Sequence, residues 1–543
     1  MKRALPVLAA AGVVLAVCGA LWWPVPLSLD SMRVHTAFAD SHVWVLAQVV
    51  GEGADCAAGY PRTLSMRPIA WVPLLVAAVL RPVLGTLGAM NAVQLLSLPV
   101  SGLVAGVWLH KATQVDRWTA GVLGACWALS PTFLATLATG EISNTQGWLL
   151  PGFLLAASVE GARRYLAMAA VAVSAAMTSP YYALALPLIA VIHELRRLWI
   201  HRRWTDSLVG LVATAVGLLP AWFFYGSSDA DGRHSLFRPA RQLDVSPIEL
   251  PTPPPVAQLE DLIWQTQAAP GSDSETVHVV TLGLAMVALG LWGAWMGKGR
   301  PGYKAGMALF LGGVVAALGP VLYLGGVLRG VGPLPIPLPV SLLEAIGWPT
   351  RQGGLYFRYA VVAGLGLSAL GGLALKDRRH SVFIAVGVLV LQVAQGVWAS
   401  GPWTDRARTS IAGRAGLERL AGRDGAVLEL PVQGVGSAWL GQPALLRAVI
   451  HGRPTTSLPR DDPRGGVRVR QQLSEAMRAA DSRAVLRSHG YRLMVLPHDQ
   501  VQYVEPDRRR LESAFGPPDH RAGLYIWDLG ATEVRCEPPA QSP

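Results

Sequence analysis

The residues best suited to chemistry lie between Leu27 and Gly53, a stretch that combines acidic, histidine and arginine side chains. Within it Asp40 begins the segment DSHVWVLAQVVGEG, and on a helix Asp40 shares a face with Trp44, one turn away. A carboxylate beside an apolar wall can have its pKa tuned and accept the proton of a hydroxyl group. Asp40 is therefore the candidate catalytic base. The alternative is an N-cap, in which the carboxylate accepts hydrogen bonds from first-turn amides.

Two histidines lie near this carboxylate. His42 follows Asp40 closely and is a candidate for binding a substrate. His35 and His42 are also candidate metal ligands, but a protein metal site needs three or four ligands and no third one is evident. The sequence therefore leaves a divalent metal open as a cofactor and requires no other cofactor.

Arg351 and Arg358 are the candidates for binding a phosphate. They lie two helical turns apart in WPTRQGGLYFRYAV, so on a helix they share a face. A guanidinium group binds phosphate oxygens in a bidentate way that Lys cannot match. The alternative is snorkelling at a membrane surface within an aromatic belt. Gly353 and Gly354, between the arginines, weaken the helical assumption.

Tyr181 and Tyr182 follow Ser179 and Pro180, which mark a break between two apolar segments. Their rings are candidates for stacking on a sugar or on an isoprenoid chain. The alternative is again an aromatic belt at the membrane surface.

The elements that position these residues are membrane helices. Hydrophobic residues form 52% of the 543 positions and charged residues only 15%, which is typical of a polytopic membrane protein. Apolar runs long enough to span a bilayer recur from Leu5 to about Ser400. The net charge of +11 does not indicate a nucleic-acid partner, because in this region Lys and Arg lie in short turns, where the positive-inside rule explains them.

The basic turns predict an orientation. The amino terminus has a basic start and an apolar run without a small-residue cleavage site, which indicates an uncleaved first helix that begins in the cytoplasm. Basic clusters predict cytoplasmic turns at 110–117, 160–164, 194–203, 298–304 and 376–380. The segments predicted to lie outside the cytoplasm are then 28–67, the turn around Glu141, the Ser179–Tyr182 turn, 227–276 and 327–357. Residues 68–110 are long enough for two crossings, although the charges at both ends require an odd number.

After Gly401 the pattern changes to short apolar runs that alternate with charged helical stretches. AVLELPV (426–432), YRLMVLP (491–497) and LYIWDL (524–529) are typical of strands, while 467–490 and 507–516 are typical of amphipathic helices. This alternation predicts a small α/β domain at 401–543, which at roughly 140 residues can hold its own core. The fold class predicted is an α-helical membrane protein of about 11 to 13 transmembrane helices, residues 1–400, with this extracytoplasmic domain at its carboxyl end.

A first helix, an acidic first loop, a Trp-containing helix and the Pro-containing entry GYPRTLSMRPIAWVPLL follow one another at the start of the membrane part. This order resembles the C-type superfamily of polytopic glycosyltransferases, which use lipid-linked sugars. The later motifs GAMNAVQLLSLPVSGLVAGVWLHK, ACWALSPTFLATLATGE, AAMTSPYYALALPL and WPTRQGGLYFRY resemble a large, mostly uncharacterised bacterial branch of the superfamily, which also ends in a soluble extracytoplasmic domain.

The resemblance implies a role for the first-loop carboxylate as base, and the position that matches it is Asp40. Many members have a second acidic residue or an acidic pair, whereas this chain has Asp40 followed by Ser41. Glu141, in ATGEISNTQGW, is the next candidate for binding substrate or, with Asp40, a metal. Asn144 and Gln146 offer hydrogen bonds to sugar hydroxyls. The alternative for Glu141 is a polar turn that caps the next helix.

The function predicted is transfer of a sugar from a polyprenyl-phosphate donor to a lipid, glycan or protein acceptor outside the cytoplasm, at the bacterial inner membrane and without a nucleic-acid partner. Two alternatives come from other classes. A transporter or flippase would carry ionisable residues inside its spans and a repeated half-chain architecture, yet the spans are nearly free of charge and no repeat is evident. A noncatalytic envelope scaffold would keep the fold without the chemistry.

Overall fold

The computed structural model describes residues 5–22, 26, 29, 46–47, 70–138, 142–201, 204–225, 282–318, 323–324, 327–328, 330–331, 334–335, 341, 359–407, 417–418, 420, 424–430, 447–450, 453–456, 463–497, 501–521 and 523–532. Five of the predicted site residues lie outside the described residues, namely Asp40, His42, Glu141, Arg351 and Arg358.

The first part of the chain is helical. Its helices are α1 (Leu5–Leu21), α2 (Trp71–Thr113), α3 (Arg117–Ala128), α4 (Pro131–Ala138), α5 (Leu149–Ala157), α6 (Arg163–Ala176), α7 (Pro180–His201), α8 (Trp204–Tyr225), α9 (Leu284–Met296), α10 (Tyr303–Ala317), α11 (Ala360–Leu375) and α12 (Ser381–Ala407). Buried apolar residues from α1 to α12 belong to one continuous core. Two short antiparallel hairpins lie between α10 and α11: β1 (Tyr323–Leu324) with β2 (Val327–Leu328), and β3 (Gly330–Val331) with β4 (Leu334–Pro335).

By length and apolar composition, three described helices can cross a bilayer, within 71–113, 204–221 and 381–398. A fourth span results if α3 and α4, bent by 54° at their junction, count as one. Shorter apolar helices lie at 5–21, 181–195, 284–296, 303–317 and 360–375. The chain is thus a multi-pass membrane protein, while the total of about 11 to 13 spans stays a prediction.

The structure of helix α2 bears on how many times residues 68–110 cross the bilayer. Gly85 has φ 69° and ψ 172°, which breaks α2 into an arm at 71–84 and a second arm at 86–113. At 1.5 Å per residue the second arm is about 40 Å long, enough to cross the bilayer alone. The first arm supplies Leu74 and Ala77 to an apolar cluster that also contains Ala448 of the carboxyl-terminal region. This arrangement favours a single crossing, with the first arm lying beside the carboxyl-terminal region.

Small residues let the helix backbones approach closely. Gly102 and Gly106 of α2 face Gly121 and Gly124 of α3, and a Cβ on Gly124 would overlap the backbone of both α2 glycines. Close backbone approach through small residues is typical of helix packing in membranes, where no hydrophobic driving force acts between helices.

The predicted cytoplasmic turns meet at one end of the helical domain. Lys376 Nζ donates a hydrogen bond to Gln114 Oε1 over 3.2 Å. Arg300 Nη1 donates to the carbonyl oxygen of Leu373 over 3.2 Å. The basic clusters that predicted these turns therefore share a face of the molecule.

Segments predicted for the opposite side meet at the other end. Leu46 of the first loop, Ile142 of the turn after Glu141 and Ala448 belong to one apolar cluster. Ser179 Oγ donates to Asn144 Oδ1 over 2.9 Å, which brings the Ser179–Tyr182 turn to the same place.

The carboxyl-terminal region contains a four-stranded sheet with strand order β5-β6-β8-β7. Its strands are β5 (Ala426–Glu429), β6 (Tyr491–Pro497), β7 (Asp519–Arg521) and β8 (Leu524–Asp528). Strands β5 and β6 are parallel, while β6, β8 and β7 are antiparallel neighbours. One face packs under α13 (Pro463–Arg478), α14 (Ser482–Ser488) and α15 (Val501–Phe515), and the other packs against Leu417, Leu420 and Ile450. The predicted α/β organisation of this region is thus confirmed.

Candidate functional site

Helix α2 carries buried polar side chains that hold the segments around the site. Asn91 Nδ2 donates to the carbonyl oxygen of Leu29, near the start of the first loop, over 2.8 Å. Gln94 Nε2 donates to the carbonyl oxygen of Leu137, in the last turn of α4, over 3.0 Å. Both amides are about 1% exposed. They face the same way because they lie one turn apart. Sequence reasoning overlooked them, although two amides within an otherwise apolar span are a usable signal.

The turn at 142–148 is closed by its own hydrogen bonds. Thr145 Oγ1 and Gln146 Nε2 both donate to the carbonyl oxygen of Ile142, over 3.1 and 3.2 Å. Gln146 Oε1 also accepts from the indole of Trp148 over 3.0 Å. The turn is tied to α2 because the backbone amide of Trp148 donates to Ser101 Oγ over 2.9 Å. Gln146, predicted to contact a ligand, thus shapes the turn.

Tyr182 lies inside the helical domain. Its side chain is 3% exposed, and its hydroxyl donates a hydrogen bond to the carbonyl oxygen of Asn144. A belt residue faces the bilayer surface, so the belt alternative does not describe Tyr182. Tyr181 is half-buried and contributes to the same region. The Ser179 hydroxyl donates a second hydrogen bond to Asn144, at its side-chain amide oxygen.

Asn144, Tyr181 and Tyr182 line a narrow pocket that is partly open to the exterior. The pocket lies between α4, α7 and the start of α11. Its lining residues are hydroxyl-bearing, amide, aromatic or aliphatic: Thr132, Thr136, Asn144, Tyr181, Tyr182, Ala185, Tyr359, Val361 and Val362. None of these described residues is charged at neutral pH. Hydroxyl and amide groups of this kind can hydrogen-bond to the hydroxyls of a neutral ligand, and an aromatic ring can pack on its apolar side.

Neighbours of the predicted acidic residues converge beside this pocket. Leu46 lies in the same first-loop stretch as Asp40, and Ile142 directly follows Glu141. Both Leu46 and Ile142 are fully buried and belong to one apolar cluster. Asn144, in the same turn as Ile142, lines the pocket. The structure therefore brings the described flanks of the two predicted carboxylates to one end of the helical domain.

One pocket residue is a sequence neighbour of the arginine candidates. Tyr359 directly follows Arg358 and lines the pocket, with its side chain 7% exposed. The structure therefore gives Tyr359 a position in the protein interior. Arg351 is separated along the chain from the nearest described residue, whereas Arg358 is adjacent to one.

Metal binding was considered for the acidic and histidine residues. Across the described part of the chain, no group of three or more His, Cys, Asp or Glu side chains is placed to hold a metal ion. The candidate ligands Asp40, His42 and Glu141 lie outside that part.

No family model and no curated protein matches the sequence. Solved structures do match, and they show that this chain has the fold of the polytopic C-type glycosyltransferases. The resemblance inferred from the sequence is thereby confirmed at the level of the fold.

Two kinds of enzyme are among the structures matched. Mycobacterial arabinofuranosyltransferase AftD is 17% identical, with a TM-score of 0.50, and the alignment covers 97% of this chain and 40% of AftD. The oligosaccharyltransferase of Archaeoglobus fulgidus in the apo form is 9% identical, with a TM-score of 0.49, and 91% of this chain and 70% of that chain are covered. Oligosaccharyltransferase AglB from Archaeoglobus fulgidus, in complex with an inhibitory peptide and a dolichol-phosphate, is 11% identical, with a TM-score of 0.46, and 96% of this chain and 74% of that chain are covered. This chain thus spans well under half the length of AftD.

Proposed function

We propose that this chain is a membrane glycosyltransferase that transfers a neutral sugar from a polyprenyl-phosphate donor to an acceptor outside the cytoplasm. The observation that carries the proposal is the uncharged, hydroxyl- and amide-lined pocket at the end of a C-type fold where Leu46 and Ile142 meet. A donor that arrives through the bilayer suits a protein built from many apolar helices.

In the proposed reaction Asp40 is the catalytic base. It takes the proton from the acceptor hydroxyl while that oxygen forms a bond to the anomeric carbon of the sugar. The bond between the anomeric carbon and the phosphate oxygen breaks, and polyprenyl phosphate leaves with the electron pair. Arg351 and Arg358 bind this phosphate and stabilise its growing negative charge. His42 and Glu141 are proposed to contact the substrates near the base.

The pocket residues are proposed to hold the sugar. Asn144 and Tyr182 form a rigid wall. The Tyr182 hydroxyl donates to the Asn144 carbonyl oxygen, and the nearby Ser179 hydroxyl donates to the Asn144 side chain. Tyr181 offers an aromatic face for the apolar side of the ring. A rigid wall of this kind keeps the anomeric carbon in line with the acceptor oxygen and lowers the entropic part of the barrier.

The test is transfer of radiolabelled sugar from a panel of polyprenyl-phosphate donors in membranes that contain wild-type protein, Asp40→Asn or the control Asp377→Asn, which removes an exposed carboxylate near a predicted cytoplasmic turn. We expect transfer by wild type and by the control, and a loss of about 10²-fold or more in Asp40→Asn, which is the usual contribution of a general base. Full activity of a folded Asp40→Asn protein would refute the assignment of the base. Absence of transfer from every donor would refute the proposed function.

Transport of a lipid-linked component is the second candidate. The observation that favours it is the ion pair of Arg164 with Glu194, because both side chains are 1% exposed within the helical domain. Both residues nevertheless lie near predicted cytoplasmic turns, away from mid-span. Movement of a fluorescent lipid-linked sugar across proteoliposomes, without transfer to acceptor, would support transport.

A further inference from the structure

A short segment joins the carboxyl-terminal region to the end of the helical domain that holds the pocket. Residues 447–450, here called the strap, form a helical turn. Ala448 of the strap is 5% exposed and belongs to the apolar cluster of Leu46 and Ile142. Ile450 packs against this cluster and also against the sheet face formed by β5, β6 and β8. The strap therefore touches both parts of the protein.

The strap is fixed to the sheet by an ion pair. Arg447 Nε and Nη2 donate to Glu429 Oε2 over 3.2 and 3.0 Å. The side chains of Arg447 and Glu429 are 10% and 3% exposed. Glu429 is the last residue of β5, and its backbone amide donates to Thr456 Oγ1 over 3.1 Å.

Burial makes this pair a stronger constraint than the other ion pairs of the sheet. The Arg492–Asp528 pair on the same sheet has side chains 21% and 41% exposed, and such exposed pairs contribute little because water competes for both ions. Removing Arg447 instead takes two charge-assisted hydrogen bonds from a carboxylate that is 3% exposed, which is unfavourable in the protein interior. The end of β5 and the strap therefore move together.

We infer that Arg447 is a positioning residue for the first loop: through the strap it holds the Leu46–Ala47 segment against the arm of α2 that precedes Gly85. The role in transfer rests on the proposed function, since Asp40 lies in the same loop. The mechanical part does not, because it stands on the contacts of Arg447, Ala448 and Leu46 alone. The carboxyl-terminal region thereby acts on the site from a distance, without contributing a catalytic residue.

The experiment measures how readily the loop segment opens. A thiol is placed at Ala47, 2% exposed in the native structure, by Ala47→Cys in a background with Cys56→Ser and Cys536→Ser. The rate of reaction with a maleimide is then compared in the full-length protein with Arg447, Arg447→Met or the control Arg492→Met. We expect about tenfold faster labelling in Arg447→Met, because labelling of a buried thiol follows the population of the open state. The control should label at the parent rate.

If Arg447→Met fails to fold, a second variant tests the same connection between the strap and the Leu46–Ala47 segment. Ile450→Ala keeps the ion pair and shortens the apolar contact between strap and cluster, and it should also speed labelling at position 47. Equal labelling rates in the parent and in either folded variant would overturn the inference.

Transfer kinetics add a separate readout. In wild-type membranes that show transfer, Arg447→Met should lower kcat more than it raises the KM for the donor, and Arg447→Lys should restore part of kcat. An unchanged kcat in Arg447→Met would overturn the role in transfer. If wild type shows no transfer, the proposed function fails while the labelling result still decides whether Arg447 positions the loop.

Discussion

The hydroxyl of Tyr182, in the first turn of α7, donates a hydrogen bond to the carbonyl oxygen of Asn144 in the turn that follows α4. This bond links two segments that line the same pocket and that are both predicted to face away from the cytoplasm. The position of the Asn144 backbone thus depends on a residue far from it in the chain.

Tyr182→Phe should therefore lower transfer activity more than it lowers the stability of the fold. The variant keeps the ring and loses one hydrogen bond, which costs about 1 kcal/mol of stability. We expect a larger effect on transfer, a fall in kcat/KM of about tenfold, because the Asn144 backbone then loses one of the two hydrogen bonds that hold its segment. Radiolabel transfer and thermal unfolding in detergent measure the two effects. Tyr303→Phe, at the opposite end of the domain, is the control and should change neither.

Helix contacts give a prediction about packing. A Cβ on Gly293 of α9 would overlap the backbone carbonyl of Leu370 of α11, whereas a Cβ on Gly387 of α12 would meet nothing within 4 Å. Gly293→Ala should destabilise the protein by more than about 2 kcal/mol, since two backbones must separate. Gly387→Ala should be neutral or stabilising by up to about 1 kcal/mol, because Ala favours helix over Gly. Comparable melting temperatures for the two variants would contradict the α9–α11 contact.

The sequence predicted the parts of this fold that depend on local pattern. Apolar runs and basic turns predicted the helical domain and the convergence of its turns at one end, because span length and charge bias act within single segments. Strand β6 lies where alternation predicted it, at Tyr491–Pro497. The stretch 467–490 was predicted as one helix and is two, since the Asp481 side chain accepts from the Ala484 amide and starts a new helix. The short strand β7 lacks a pattern of its own and was missed.

The candidate site was predictable only at residues that belong to a recognisable local sequence pattern. Tyr181, Tyr182 and Asn144 were identified from a helix break and a polar turn, and the structure places all three on the pocket. The amide of Gln94 and the Arg447 strap escaped notice because their importance lies in partners distant in sequence. A pattern read along the chain carries no information on which distant carbonyl or carboxylate such a side chain will meet.

The buried pair of Arg164 and Glu194 gives a prediction about charge. Both side chains are 1% exposed, so Arg164→Met leaves a buried carboxylate without its counter-ion and should cost about 3 to 5 kcal/mol. Replacing both residues with Met should recover most of this loss, because no buried charge then remains. Arg197→Met, which breaks a half-exposed pair with Asp206, should cost under about 1 kcal/mol. Thermal unfolding of the purified variants in detergent distinguishes these outcomes, and a double variant no more stable than Arg164→Met would contradict the pairing argument.

The turn between α2 and α3 gives a prediction about pH. Asp116 caps α3, where its carboxylate accepts from the Thr119 amide over 3.0 Å and from the Ser381 hydroxyl over 3.2 Å. Burial acts to raise the pKa of Asp116, but hydrogen bonds from the side chain and backbone of Thr119, from Ser381 and from the backbone of Trp118 outweigh it, so the pKa lies below its ordinary value of 3.8.

A carboxylate whose pKa is lower in the folded state binds fewer protons folded than unfolded, so the stability it adds is present above pH 3.8 and is lost as the pH falls through the folded-state pKa. Asp116→Asn should therefore be less stable than wild type at pH 7, and the difference between their melting temperatures should shrink as the pH is lowered below 3.8. Asp377→Asn, which removes a charge from an exposed position at the same end of the domain, is the control for the loss of one negative charge. A difference between wild type and Asp116→Asn that stays constant from pH 7 to pH 3 would show that the carboxylate acts through shape rather than charge.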